Sequence, residues 1–323
     1  MYTLNALKNA VMSGENITKE EALWLYDAPL NELCHAANDI REHFCGVAFD
    51  ICAVINGKSG RCSENCVYCA QSVSYQTNIQ SFPLLSTEEI LTQVNHNDKR
   101  GILRCSIVTS GKASTDSEID QICKSVRAIK EQAGISVCVS LGLLKEEQLR
   151  RLYEAGVTRI HNNLETSRRY FPVICSTHSF EDKIAVLQAA QRTGLTVCSG
   201  GLMGLGETPE DRVELGLSLR SLGIKSVPVN MLNPIPGTSL ENEPHLSCRE
   251  MRRIVAVFRF LLPAAAIRLA GGRGLLPDKG RSCFLSGANA AISGDMLTTA
   301  GISLEDDMQM LQELGYKVML KDE

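Results

Sequence analysis

A pattern recurs through the middle of the chain. A charged amphipathic stretch ends at a glycine, and a short apolar, β-branched run follows at once. The instances are QAGISVCVSLG from Gln132, EAGVTRIHNNLE from Glu154, RTGLTVCSGGL from Arg192 and SLGIKSVPVNML from Ser221. The amphipathic stretches predict helices, and the apolar runs predict strands buried on both faces. Gly134, Gly156, Gly194 and Gly223 stand where a helix would end in a left-handed residue. Helix starts are marked by the capping-box pairs Thr18/Glu21, Ser86/Glu89, Thr115/Glu118 and Ser247/Glu250, and by Pro209 after Thr208.

Eight strands are predicted, near residues 48–55, 103–109, 135–141, 157–163, 195–202, 226–232, 265–270 and 287–292. Strands alternating with helices imply parallel pairing, and eight of them imply an α/β fold of the (β/α)8 TIM-barrel type. Residues 1–46 read as an N-terminal helical extension, with Trp24 packing one of its helices, and 47–323 as the barrel. A doubly wound open sheet is the alternative. No G-x-G-x-x-G follows the first strand, which counts against a dinucleotide fold.

Composition narrows the chemistry. The chain has 323 residues, 44% hydrophobic and 22% charged, with a net charge of −4. That is ample for a core, and the basic residues are scattered, so neither disorder nor nucleic-acid binding is expected. No apolar run is long enough to span a bilayer, and MYTLNALKNAVMSGEN lacks the features of a signal peptide, so a cytoplasmic location is expected. Thirteen cysteines are then notable. In a reducing compartment they point to metal, Fe–S or catalytic roles rather than disulfides, and the odd count argues the same way.

Three of them form a motif, Cys62-Ser-Glu-Asn-Cys66-Val-Tyr-Cys69, directly after the first predicted strand. That position is the C-terminal face of a barrel, where such folds carry their chemistry. Thiolates this close can hold three irons of a cubane and leave the fourth open. Structural zinc, the other reading, wants four closed ligands, commonly as two pairs, and no fourth ligand is near.

The C-x3-C-x2-C spacing, with Tyr68 before the last cysteine, resembles the radical S-adenosylmethionine superfamily. Further segments resemble the biotin synthase family: CSENCVYCAQS (62–72), VCVSLGLL (137–144), HNNLETS (161–167), VCSGGLMGLGET (197–208), SVPVNMLNPIPGT (226–238), IRLAGGR (267–273) and GANAAISGDMLTTAG (287–301). They cover most of the chain beyond residue 45. The resemblance implies a [4Fe–4S] cluster on Cys62, Cys66 and Cys69 that binds S-adenosylmethionine and generates a 5′-deoxyadenosyl radical. It implies conversion of dethiobiotin to biotin, with sulfur from an auxiliary Fe–S cluster. It implies S-adenosylmethionine contacts from Tyr68, Asn163 and Glu165, and dethiobiotin contacts from Asn230, Asn163 and His161. His161 could equally be a satisfied core residue, and Glu165 a solvated one.

The same resemblance places auxiliary ligands at Cys138 and Cys198, on the third and fifth strands, and an arginine at Arg268. On the second strand the matching position is Ser106, beside Cys105. Neighbouring strand residues face opposite ways, so Cys105 should point outward if Ser106 points inward. Cys175, in the loop after the fourth strand, is expected to be the substitute. A Cys138/Cys175/Cys198 set would suit [4Fe–4S], with [2Fe–2S] the alternative. Cys34, Cys45, Cys52, Cys123, Cys248 and Cys283 show no ligand spacing and read as packing.

As partners, the resemblance implies a flavodoxin- or ferredoxin-type reductant, Fe–S assembly proteins and a homodimer. Another radical enzyme on the same barrel, such as a hydrogenase maturase, is the rival activity. A non-enzymatic metal-binding scaffold is the rival of a different class.

Overall fold

The computed structural model describes residues 2–294, 296–299 and 301–320. Asp295 and Ala300, in the segment 287–301, lie outside the described residues. Ten strands are present: β1 Ala48–Lys58, β2 Arg104–Thr109, β3 Ser136–Ser140, β4 Arg159–His161, β5 Thr196–Cys198, β6 Gly201–Met203, β7 Ser226–Met231, β8 Ala266–Leu269, β9 Ala290–Ile292 and β10 Lys317–Val318. All named pairings are parallel. β1 pairs with both β2 and β9, so the sheet closes into a barrel. β5 and β6 both pair with β7 and act as one barrel strand interrupted at Ser199 and Gly200. β10 adds to the N-terminal end of β1.

The eight predicted strand regions are these barrel strands. Their apolar runs are buried because helices cover the outside while side chains fill the inside. The capping residues act as expected. Thr18, Ser86 and Thr115 accept from the backbone N–H groups of Glu21, Glu89 and Glu118, whose carboxylates reach back. Ser247 accepts from the Glu250 N–H, and Pro209 opens its helix. Gly156, Gly194 and Gly223 have positive φ. Gly134 does not: that helix has already ended at Gln132, and Ala133 leaves it extended.

Helices Leu4–Met12, Lys19–Asp27 and Leu30–Cys45 precede β1. The third packs on the helix Cys248–Leu261. No helix among the described residues is long and apolar enough to cross a membrane.

Candidate active site

Chain reversal at the end of β1 builds the cysteine loop. Gly60 and Arg61 follow each other with φ of 77° and 54°, a conformation costly for the arginine and typical of positions held by their surroundings. The Cys62 N–H then donates to the Gln71 carbonyl at 2.9 Å, and the Val73 N–H to the Cys62 carbonyl at 2.9 Å. Cys69 N–H closes a turn on Cys66, and Val67 N–H donates to the Ile174 carbonyl. The Tyr75 hydroxyl donates to the Asn65 carbonyl. The loop is thus fastened at both ends and against the segment after β4, with Cys62 buried and Cys66 and Cys69 half-buried.

A cavity of about 430 Å³ runs from this loop down the barrel axis. Cys62, Tyr68 and Cys69 line it at the loop; Cys138, Cys198 and Arg268 line it from the strands; and His161, Asn163, Glu165 and Asn230 line it as well. The structure therefore gathers the predicted site residues, Cys66 and Cys175 excepted, around one space.

Asn163, His161 and Glu165 form a connected set. The Asn163 Oδ1 accepts from the Gly200 N–H at 3.0 Å. His161 Nε2 sits 2.9 Å from the same oxygen, so that nitrogen must donate. Nδ1 is then free to accept from Ser140 Oγ at 3.2 Å. Burial holds the imidazole well below its usual range, at about 4, partly opposed by Asn163, so the ring is neutral with the proton on Nε2. His161 is hydrogen-bonded as a core residue would be, yet it lines the cavity.

Asn163 Nδ2 donates to Glu165 Oε2 at 3.4 Å, and Tyr68 hydrogen-bonds the same carboxylate. Burial raises the Glu165 pKa, against Lys183, Tyr68 and Asn163. Glu165 is the second non-glycine with positive φ at the site, 68°. Its carbonyl passes so close to Gly201 that a Cβ there would lie 2.4 Å away. A side chain at 201 would push the acid out of the cavity wall. Asn230 spans two backbones, donating to the Gly201 carbonyl at 3.0 Å and accepting from the Gly271 N–H at 2.9 Å. One amide hydrogen and one lone pair remain for a ligand.

Deeper in the barrel, Arg104, Arg159 and Arg268 are buried around one carboxylate, Asp50. Burial alone would raise the Asp50 carboxyl, but Arg268, Arg104 and Arg159 outweigh it and hold the group below its usual range. Arg268 Nη2 lies 3.0 Å from Asp50 Oδ1. Cys138 and Cys198 sit in this positive surrounding. The Ser106 hydroxyl hydrogen-bonds Cys138, and Ser226 Oγ donates to the Cys198 sulfur at 3.2 Å. Burial still pushes the Cys138 thiol up to about 12, with Cys198 adding to it and the arginines opposing. A site with three cations and one carboxylate suits an anionic group such as a thiolate-bound cluster, whose iron displaces the thiol protons.

Two expectations need correction. Cys175 does not join Cys138 and Cys198. It hydrogen-bonds Cys66, lies 3.2 Å from His178 Nδ1 and 3.5 Å from Asn65 Oδ1, and forms with Cys66 and His178 a group of donor atoms within 4.8 Å. The loop after β4 folds back over the cysteine loop instead of reaching into the barrel. Cys52 is the second correction. It is not a packing thiol but lines the cavity, and Arg268 Nη1 donates to its sulfur at 3.3 Å. Cys105 does face outward, where Asn97 Nδ2 donates to it at 3.4 Å, and Ser106 lines the cavity.

Residues 58–217 match the Radical SAM superfamily, and residues 228–317 match the Biotin and Thiamin Synthesis associated domain. The chain is 53% identical to a biotin synthase of Brachyspira hyodysenteriae, over 99% of this chain and 96% of that one. It is also 53% identical to a biotin synthase of Akkermansia muciniphila, over 99% and 100%. Among solved structures, a methylornithine synthase superposes with a TM-score of 0.85 at 20% identity, covering 97% of both chains. A maturase of the [FeFe]-hydrogenase superposes at 0.83 and 22% identity, covering 97% of this chain and 75% of that one. These two show a shared fold.

Proposed function

The chain belongs to the biotin synthase family of radical S-adenosylmethionine enzymes, and from that premise we propose how its residues divide the conversion of dethiobiotin to biotin. The family relation also sets aside the maturase and the non-enzymatic scaffold as readings of this chain. Cys62, Cys66 and Cys69 would hold a [4Fe–4S] cluster, which would bind S-adenosylmethionine and supply the electron for its reductive cleavage. Tyr68 packs beside the adenine. Asn163 and the Glu165 carboxylate take the methionyl and ribose groups, a carboxylate being the usual partner of ribose hydroxyls. Asn230 offers its spare amide hydrogen and lone pair to the ureido ring of dethiobiotin, with Asn163 and the neutral His161 alongside. Cys138 and Cys198 would hold an auxiliary Fe–S cluster, [4Fe–4S] or [2Fe–2S], which would supply the sulfur.

One observation carries this reading. Two sulfur sets, Cys62/Cys69 at the loop and Cys138/Cys198 in the strands, line a single cavity together with Asn163, Glu165 and Asn230. Sulfur insertion needs that order: radical source, substrate, sulfur source. The enclosing barrel keeps water from a reactive radical.

The test is anaerobic incubation of reconstituted protein with dethiobiotin, S-adenosylmethionine and a low-potential reductant. Biotin is expected at roughly one turnover in the absence of cluster repair, with one deoxyadenosine for each C–H bond broken. Deoxyadenosine without biotin would overturn the reading. We further propose a flavodoxin- or ferredoxin-type donor, Fe–S assembly proteins as the source of repair, a homodimer, and a cytoplasmic location. The division into an extension at 1–46 and a barrel at 47–323 belongs to the same proposal.

A further inference from the structure

The barrel interior is stacked in levels, and the strand registers decide which side chains share one. In a tilted parallel barrel a level ring climbs about one residue for each strand crossed, and its four side chains come from alternate strands. The ring containing Cys138 can be followed around the barrel. Cys138 registers with Arg159 on β4, and Arg159 with Thr196 on β5; two residues beyond Thr196 stands Cys198. Cys198 registers with Ser226 on β7, and Ser226 with Ala266 on β8; two residues on stands Arg268. Arg268 registers with Ala290 on β9, and Ala290 with Asp50 on β1; two residues on stands Cys52. Cys52 registers with Arg104 on β2, and Arg104 with Ser136 on β3; two residues on stands Cys138 again. The circuit closes on three thiols and one guanidinium. Ser106 is not in it, because β2 contributes to the next level, where two residues past Arg159 stands His161.

We infer that Cys52 is the third thiolate ligand of the auxiliary Fe–S cluster, completing a ring with Cys138, Cys198 and Arg268 and taking from β1 the part that Ser106 on β2 cannot play. The inference rests on the reading that Cys138 and Cys198 hold such a cluster. Three further observations support it. Cys52 alternates inward with Val54 and Asn56 along β1, all lining the cavity. Each ring sulfur has its own donor: Arg268 for Cys52, Ser106 for Cys138 and Ser226 for Cys198. Buried thiols that pack, such as Cys34 and Cys283, lie instead within the apolar core. Among the described residues, only Cys66, Cys175 and His178 meet as ligands of a single ion would, within 4.8 Å. The wider ring suits a cluster whose thiolates sit on separate irons. Ser106 then serves as a hydrogen-bond donor to a ligand, not as a ligand.

The test compares Cys52→Ala, Cys52→Ser, Ser106→Ala, Cys138→Ala and Cys198→Ala in anaerobically reconstituted full-length protein. Iron and sulfide are counted, the clusters are resolved by Mössbauer spectroscopy, and deoxyadenosine release reports the cluster at Cys62, Cys66 and Cys69. Both Cys52 variants are expected to lose the auxiliary signal, as Cys138→Ala and Cys198→Ala do, while iron stays at about four per chain and deoxyadenosine is still released. Ser106→Ala is expected to keep both signals. If Cys52→Ala does not fold, Cys52→Ser, which differs from the native residue by one atom, decides. Full auxiliary iron in a foldable Cys52 variant overturns the inference. Full auxiliary iron in Cys138→Ala and Cys198→Ala instead overturns the reading on which it rests.

Discussion

The sulfur of Cys175 lies 3.2 Å from Nδ1 of His178, and the same ring nitrogen also meets Glu64 Oε2. Cys175 also hydrogen-bonds Cys66 and donates to Asn65 Oδ1 at 3.5 Å, both in the cysteine loop. This thiol therefore supports the cysteine loop. Cys175→Ala is expected to leave the auxiliary iron intact and to disturb only the cluster at Cys62, Cys66 and Cys69. Iron counting beside a deoxyadenosine assay checks it. Selective loss of auxiliary iron with deoxyadenosine release intact would return Cys175 to the barrel set.

Glu165 offers its carboxylate from a strained backbone and is held by Tyr68 and Asn163. Hydrogen bonds to a charged group contribute about 1.5–3 kcal/mol, which is roughly a tenfold to hundredfold change in affinity. Glu165→Gln is expected to weaken S-adenosylmethionine binding by about that factor, with cluster content unchanged. Equilibrium binding to the reconstituted protein measures it, and unaltered affinity would remove Glu165 from the cofactor contacts.

The strands, the caps and the reaction class were legible in the chain because each is a local signal. Ser86 and Glu89 are three residues apart, and Cys62, Cys66 and Cys69 lie within one loop. What the chain hid was non-local. Cys175 follows β4, but whether its loop dips into the barrel or folds over the cysteine loop depends on contacts with Asn65 and Val67, more than a hundred residues away. Cys52 sits in an apolar run, FDICAVI, that reads as core. Its meaning emerges only when the registers of eight strands are followed to closure. A partial signal was present in Asp50, a carboxylate two residues before it in the same buried run, which marks an inward row facing something charged.

Asn230 holds two backbones and has one donor and one acceptor to spare. Asn230→Ala is expected to raise the apparent KM for dethiobiotin by about tenfold to a hundredfold while S-adenosylmethionine binding stays near normal. It also leaves the Gly201 carbonyl and the Gly271 N–H without this partner, at a cost of about 1–3 kcal/mol in stability. Asn230→Asp removes both amide donors, to the Gly201 carbonyl and to the ligand, and keeps the acceptors for Gly271 and the ligand, so KM should rise here as well. An unchanged KM in both variants would place the ureido ring elsewhere.

His161 gives a pH test with a definite sign. Its folded pKa is about 4 because burial disfavours the cation, whereas an unfolded histidine titrates near 6.5. Between those values the unfolded chain binds a proton that the folded chain does not, so stability falls as pH drops from about 6.5 towards 4 and is restored above 6.5. The effect is limited to a few kcal/mol for one group. His161→Asn removes the titration while keeping a donor and an acceptor for Asn163 and Ser140. Thermal melts of the variant and the parent protein at pH 7 and pH 5 check it. The parent should lose more Tm between the two conditions than the variant does. Equal losses would mean that the ring is solvated and free to protonate in the folded protein, which its hydrogen bonds to Ser140 and Asn163 argue against.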